Sequence, residues 1–209
     1  MIFAKIKLQL RHVYDELAQF WGGDFALHDW GHKELAEFAE LVKKNGERVL
    51  DCGCGSGVQS KELFDHGLEV VGMDLSPKMV SEAKKRVSKA KFVVGDMTKM
   101  GFARGSFDGV YVRASLLHIP KNLVPKVLKS INKILKNGGI LYLALKEGKG
   151  EDEVVDERFG KKVRRFFSFF SEQEVMDFLK ESGFVLLKKS KRQRAKNSTL
   201  WLQFLAGKI

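Results

Sequence analysis

Cysteine is scarce: the 209 residues hold two, Cys52 and Cys54. Set one residue apart in a tight turn, they would form a badly strained mutual bridge, so free thiols are expected and a disulfide framework is excluded. Neither a second cysteine pair nor a histidine cluster at ligand spacing accompanies them, so no metal site is expected. Long apolar runs are missing as well. None approaches the roughly 18 residues that cross a bilayer, so no membrane partner is expected. The first eight residues carry lysines within their apolar positions and no small-residue cleavage pattern, which argues against a secretory signal and for a cytoplasmic location. Internal repeats and low-complexity linkers are absent, and the even composition predicts one domain over residues 1–209.

Hydrophobic residues make up 44% of the chain and charged ones 30%, the balance of an ordinary globule. The formal net charge of +11 admits two readings. It would attract a polyanionic partner such as RNA, and a lysine-rich solvated surface would equally keep the protein dispersed. The second reading requires nothing further and is the default.

Apolar residues recur at helical spacing over residues 8–21 (Leu10, Val13, Leu17, Phe20, Trp21) until Gly22-Gly23 ends the run. After the break Asp29-Trp30-Gly31 they recur over residues 32–44 (Leu35, Phe38, Ala39, Val42), closed by Asn45-Gly46. These two helices make an N-terminal cap, residues 1–46. A cofactor-binding core, residues 47–146, then alternates short β-type segments at 47–52, 68–73, 91–94, 107–112 and 140–145 with helices at 58–66, 77–87 and 122–135. Ser76 and Pro77 supply an N-cap and first-turn proline, and Asn137-Gly138-Gly139 a turn. Such alternation predicts an α/β fold, a doubly wound, mainly parallel sheet. Past Lys146 it fails. Residues 147–165 read as a polar segment crossing the surface above the strand ends, acidic at Glu151-Asp152-Glu153, then basic at Lys161-Lys162 and Arg164-Arg165. Ser171 with Glu174 predicts a capping box for a last helix over residues 172–182, and residues 184–191 with 199–206 an antiparallel hairpin at a sheet edge.

The chemistry concentrates at Asp51-Cys52-Gly53-Cys54-Gly55-Ser56-Gly57. Its three glycines permit torsions and close ligand approach that a Cβ would block. A dinucleotide fingerprint spaces its glycines G-x-G-x-x-G to seat pyrophosphate on a helix N-terminus; here the spacing is G-x-G-x-G with an acid just before it. Asp51 would repel pyrophosphate and suit a cofactor bearing an amine and a sulfonium. Asp74, closing the second strand, can accept both hydroxyls of a ribose. Asp96 with Met97, after the third, can accept from an adenine amino group and pack its ring.

Together with Val71-Gly72-Met73-Asp74-Leu75-Ser76, Gly95-Asp96-Met97, Phe107-Asp108-Gly109-Val110 and Leu135-Lys136-Asn137-Gly138-Gly139, in that order, the turn resembles the class I S-adenosylmethionine-dependent methyltransferases over residues 47–145. The resemblance implies a Rossmann-like methyltransferase fold with a seven-stranded sheet ending in an antiparallel hairpin, and S-adenosyl-L-methionine as cofactor. It implies that Asp51, Cys52, Gly53, Gly55 and Gly57 surround the cofactor's amino acid part. Asp74 then meets the ribose, Asp96 and Met97 the adenine, and Leu75 and Met79 lie among these contacts. Tyr14-Asp15-Glu16-Leu17-Ala18 resembles the N-terminal helix that lids the cofactor in many members, which makes Tyr14 a contact; spacing alone suits a core aromatic equally. His118 falls near the methyl-transfer face, where it is either a catalytic base or a histidine satisfied by backbone contacts. Arg113, too basic to take a proton, could meet the cofactor carboxylate or a substrate anion.

Displacement on a sulfonium starts from an activated donor, so alignment and desolvation supply most of the acceleration and no strong base is obligatory. A hydroxyl or amine acceptor would gain from one, and His118 is the placed candidate. The acceptor must be read outside the shared core, from the N-terminal helices and a substrate-side segment, residues 147–170. Arg164-Arg165-Phe166-Phe167-Ser168-Phe169-Phe170 interleaves cations with aromatics, as RNA-binding surfaces do; the simpler reading packs the phenylalanines on the sheet edge. The basic run at residues 188–194, and a similarity of residues 165–201 to the tail of tRNA wobble-uridine methyltransferases, add support for tRNA. The expectation is methyl transfer to a small-molecule acceptor, with tRNA methylation as the alternative. A non-catalytic cofactor-binding partner subunit comes next, and a nicotinamide oxidoreductase last.

Overall fold

The computed structural model describes residues 3–21, 31–193 and 199–209; the expected breaks at Gly22-Gly23 and Asp29-Trp30 lie outside these. Helices α1 (Phe3–Leu17) and α2 (His32–Lys43) come first. Then β1 (Arg48–Cys52), α3 (Val58–Asp65), β2 (Glu69–Asp74), α4 (Pro77–Arg86), β3 (Lys91–Val94), β4 (Phe107–Arg113), α5 (Val124–Ile134) and β5 (Leu135–Lys146) alternate as expected. A hairpin, β6 (Glu151–Arg158) and β7 (Lys161–Ser168), precedes α6 (Glu172–Glu181), β8 (Phe184–Gln193) and β9 (Leu200–Lys208). Ser76 caps α4 through the Met79 amide, and Ser171 with Glu174 forms the full capping box of α6.

One sheet has seven strands in the order β3-β2-β1-β4-β5-β9-β8, with β9 running antiparallel to both neighbours. Its parallel strands are covered on both faces, which is why β4 is buried up to Arg113. On one face α5 and α6 lay Leu128, Ile131, Val175 and Leu179 over Val110, Val112, Leu141 and Leu143. On the other, Leu35, Phe38, Val42 and Leu63 cover Val49, Val70, Tyr111 and Tyr142. The Tyr111 and Tyr142 rings stack there at 4.4 Å. Strand order reverses at β1 and β4, so a crevice opens at their C-terminal ends. Asp51, Asp74, Arg113 and Lys146 stand at or beside the ends of their strands around it.

Three sequence expectations need correction. Residues 147–165 are largely a β-hairpin rather than an irregular segment, continuing to Ser168. Its turn is Phe159-Gly160, both at positive φ (53° and 73°), the geometry that suits the twist of two paired strands. The hairpin escaped notice because β6 lacks apolar alternation: Glu153 pairs with Arg164, and Asp156 takes both Arg158 and Arg165. Its apolar grip comes from β7, where Val163 meets Val13 and Leu17 of α1 and Phe166 meets Ile6 and Leu10. Helix α1 also starts at Phe3, five residues earlier than expected, because its buried stripe begins at Ile6 and not Leu10. Finally, Asn137-Gly138-Gly139 does not precede β5 but bulges within it, between the pairs Leu135↔Phe107 and Ile140↔Gly109.

The basic run lies on edge strand β8, where Lys188 pairs with Glu37, Lys189 with Glu172, Lys191 with Glu147, and Arg192 with Glu34. Arg194 lies outside the described residues. Among the described residues no helix is long and apolar enough to cross a membrane.

Gly109 sets how closely α2 approaches the sheet: a Cβ there would lie 2.6 Å from Val42 and 2.7 Å from Phe38. Gly109→Val is expected to destabilise the fold by about 1–3 kcal/mol through overpacking, read as a lowered urea midpoint at unchanged m.

Candidate functional site

The glycine turn is anchored from two sides. The Met73 carbonyl accepts from the amides of Gly53 (2.7 Å) and Cys54 (3.1 Å), tying the turn to β2. Ser115 Oγ donates to the Cys52 carbonyl at 2.7 Å from the loop after β4. Gly53 has φ +83°, and a Cβ would sit 2.2 Å from the Ser115 Cβ, so no other residue fits beneath that loop. At Gly55 (φ +53°) a Cβ would meet nothing closer than Trp21 at 3.9 Å, leaving an open cradle. Gly57 (φ +80°) packs 2.9 Å from Ala83 by the same construction, joining α3 to α4.

A cavity of about 280 Å³ opens above the turn. Of the expected site residues, Tyr14, Gly53, Gly55, Asp74, Leu75, Met79, Asp96, Met97, Arg113 and His118 line it. Asp51, Cys52 and Gly57 stand outside its wall. Asp51 is buried behind the turn, where its carboxylate accepts from Ser60 Oγ at 2.6 Å. Burial pushes its carboxyl up to about 7, against the pull of that hydrogen bond. Cys52 and Cys54 are buried free thiols.

Asp74 accepts from the amides of Gly55 and Ser76, each at 2.9 Å; burial raises its pKa, opposed by these bonds. Asp96 accepts from Thr98 and from Lys7 of α1 at 2.8 Å. Burial works against its charge, but the Lys7 and Thr98 contacts outweigh it and its pKa falls below the usual value. Phe3, Lys7, Leu10 and Tyr14 are spaced to share one face of α1, and all four line the cavity. Asp15 fastens the same helix to the α4 cap, accepting from Ser76 Oγ at 2.5 Å and the Lys78 amide at 3.2 Å.

Tyr14 and His118 are directly joined. His118 Nδ1–H donates to the Phe166 carbonyl at 2.7 Å, which leaves Nε2 to accept from the Tyr14 hydroxyl at 2.6 Å. Burial depresses the imidazole to about 3, so it stays neutral. Arg165, only 3% exposed, donates to the same hydroxyl at 3.2 Å and to Asp156 at 2.6 Å. One ring nitrogen of His118 is thus met by backbone and the other by a side chain, and the residue lines the cavity.

Sequence reasoning missed Lys7, Lys146, Arg158, Trp21 and Trp201 as lining residues, and took Arg165 as part of a stretch able to grip an anion and stack a planar ring, as RNA-binding surfaces do. Lys7 carried a signal, its i, i+3 and i+7 spacing to Leu10 and Tyr14. Arg158 and Trp201 carried none, because only the hairpin and the strand order bring them here.

Asp51 makes stability pH-dependent. Its carboxyl ionises near 3.8 in the unfolded chain and near 7 in the folded one, so its contribution is full below about pH 4 and is lost as pH rises through 7. Asp51→Asn retains an acceptor for Ser60 and does not ionise. Its melting temperature relative to the parent, without cofactor, should rise between pH 5 and pH 8; a constant difference would show that Asp51 does not titrate there.

Residues 50–143 match a family model described as a methyltransferase domain. The chain is 42% identical over 106 residues to demethylmenaquinone methyltransferase of Beutenbergia cavernae, a match covering 50% of this chain and 42% of that one. It is 32% identical over 164 residues to phosphoethanolamine N-methyltransferase 2 of Caenorhabditis elegans, covering 76% of this chain and 36% of that one. The chain thus spans less than half the length of these curated relatives. A crystal structure of 1,6-didemethyltoxoflavin-N1-methyltransferase from Burkholderia thailandensis, bound to S-adenosylhomocysteine, shares the fold at a TM-score of 0.77 and 19% identity, covering 100% of this chain and 91% of that one. From the glycine turn through β5 the chain thus matches the methyltransferase domain in sequence, and its seven-stranded sheet has the fold of that S-adenosylhomocysteine-bound methyltransferase.

Proposed function

We propose that the protein transfers a methyl group from S-adenosylmethionine to a small-molecule acceptor. The carrying observation is that one cavity joins two chemically different groups: Asp74 at the end of β2 with Asp96 beyond β3, and the Tyr14, His118 and Arg165 cluster by the hairpin. The first group fits the cofactor, with an open cradle at Gly55, a carboxylate for a diol at Asp74, and Leu75 and Met97 as apolar walls. S-adenosylmethionine supplies a methyl group already activated on a sulfonium. Asp51, Cys52 and Gly57 serve it from behind, by holding the turn in shape.

Residues 147–170 form the acceptor-side wall in this reading, since Arg158, Arg165 and Phe167 line the cavity from the hairpin. The relatives' names include a menaquinone and a phosphoethanolamine enzyme, which supports a small acceptor without selecting one. RNA has less in its favour: Phe166, Phe167 and Phe170 are buried rather than offered for stacking, and the basic run of β8 is ion-paired. His118, neutral and already accepting from Tyr14, is suited to orient that hydroxyl and poorly suited to remove a proton near neutral pH.

Asp74→Ala should weaken S-adenosylhomocysteine binding at least about tenfold, roughly 1.4 kcal/mol, by calorimetry; unchanged affinity would overturn the cofactor assignment. Label from S-adenosylmethionine should appear in a metabolite fraction and not in tRNA. With the acceptor so obtained, the pH–rate profile should show no limb near pH 6.5 that disappears in His118→Gln; such a limb would make His118 the base.

A further inference from the structure

Among the described lining residues the carboxylates are Asp74 and Asp96, the latter paired with Lys7. Lys146, Arg158 and Arg165 line the cavity as a second group whose charges act on one another, and Phe167 and Trp201 line it as well. Arg113 lies nearer the turn, where its charge acts on Asp51. Two of the three cations in that second group share one carboxylate: Asp156 accepts from Arg158 Nε at 2.9 Å and Arg165 at 2.6 Å through the same oxygen.

Lys146 has no carboxylate partner among the described residues. Its ammonium lies 3.9 Å from the centre of the Phe167 ring, at the last position of β5 and directly across from Trp201 of β9. Burial and then the charges of Arg165 and Arg158, against Asp156, hold its pKa down to about 8. Arg165 is buried, and its Nε is among the buried atoms without a hydrogen-bond partner. A desolvated excess of positive charge is unfavourable by itself and becomes favourable when an anion joins it.

We propose, resting on the methyltransferase reading, that the cavity beside the hairpin is an acceptor subsite for a carboxylate or phosphate group, held by Lys146, Arg158 and Arg165 against the apolar walls of Phe167 and Trp201. The anion serves as an anchor. Oxygens engaged by several cations are poor nucleophiles, so the methylated atom is a different one on the same molecule.

The test uses protein saturated with S-adenosylhomocysteine, titrated by calorimetry with benzoate and phenyl phosphate, with uncharged benzamide as the control. One anion or both should bind and benzamide should not; which of the two binds identifies the group. Lys146→Met, which keeps the apolar stem, should weaken the anion at least tenfold while S-adenosylhomocysteine affinity stays within twofold, and Arg158→Gln should act likewise. In the parent, anion affinity should fall between pH 7 and pH 9 as free Lys146 loses its proton. The charges that act on it are those of Arg165, Arg158 and Asp156, and His118 stays neutral over that range. Absence of anion binding, equal binding of benzamide, or an unchanged affinity in Lys146→Met overturns the proposal. So does a loss of S-adenosylhomocysteine affinity in that variant, which would give these cations to the cofactor's own carboxylate. Failure of the parent to bind S-adenosylhomocysteine at all overturns the methyltransferase reading and this inference with it.

Discussion

The Met73 carbonyl accepts two successive amides, from Gly53 and Cys54, and so welds the end of β2 to the turn that leaves β1. Everything at the cavity is referenced to that weld. It brings the Gly55 amide onto Asp74, and the Ser115 bond to Cys52 ties in the loop that carries His118. Buried Asp51 supports the turn from below, and burial rather than any counter-charge dominates its ionisation. The glycines serve two ends here: Gly53 and Gly57 relieve contacts with protein, while Gly55 alone leaves space on the ligand side.

Around this base the cavity is closed by parts remote in sequence. Helix α1 lies over it through the Lys7–Asp96 and Asp15–Ser76 contacts, and the hairpin closes the other side by packing Val163 and Phe166 on that same helix. Tyr14, His118 and Arg165 therefore form one hydrogen-bonded unit drawn from the lid, the loop after β4, and the hairpin. Asp74 and Asp96 line this cavity together with the cations Lys146, Arg158 and Arg165.

The α/β alternation, strand β3 to the residue, the caps of α4 and α6, and the terminal antiparallel pair were all legible, because each rests on local periodicity or on a capping side chain. The hairpin was not. Its strands alternate charge rather than apolarity, and their stability comes from α1, more than a hundred residues earlier in the chain. The aromatic-rich stretch at Phe166 and Phe167 could be read as an open stacking surface or a packed edge, and only burial distinguishes these.

By itself the sequence determined one side of the cavity: a glycine turn after an acid, then Asp74 closing one strand and Asp96 following the next, is a short-range pattern. Tertiary structure decided the other side. Lys146, Arg158, Arg165 and Trp201 come from four strands of two sheets, and only folding brings the three cations and the indole to one cavity. Tertiary structure likewise drew Asp51 behind the turn it heads, since its neighbour in space is Ser60 of the following helix and not the cavity.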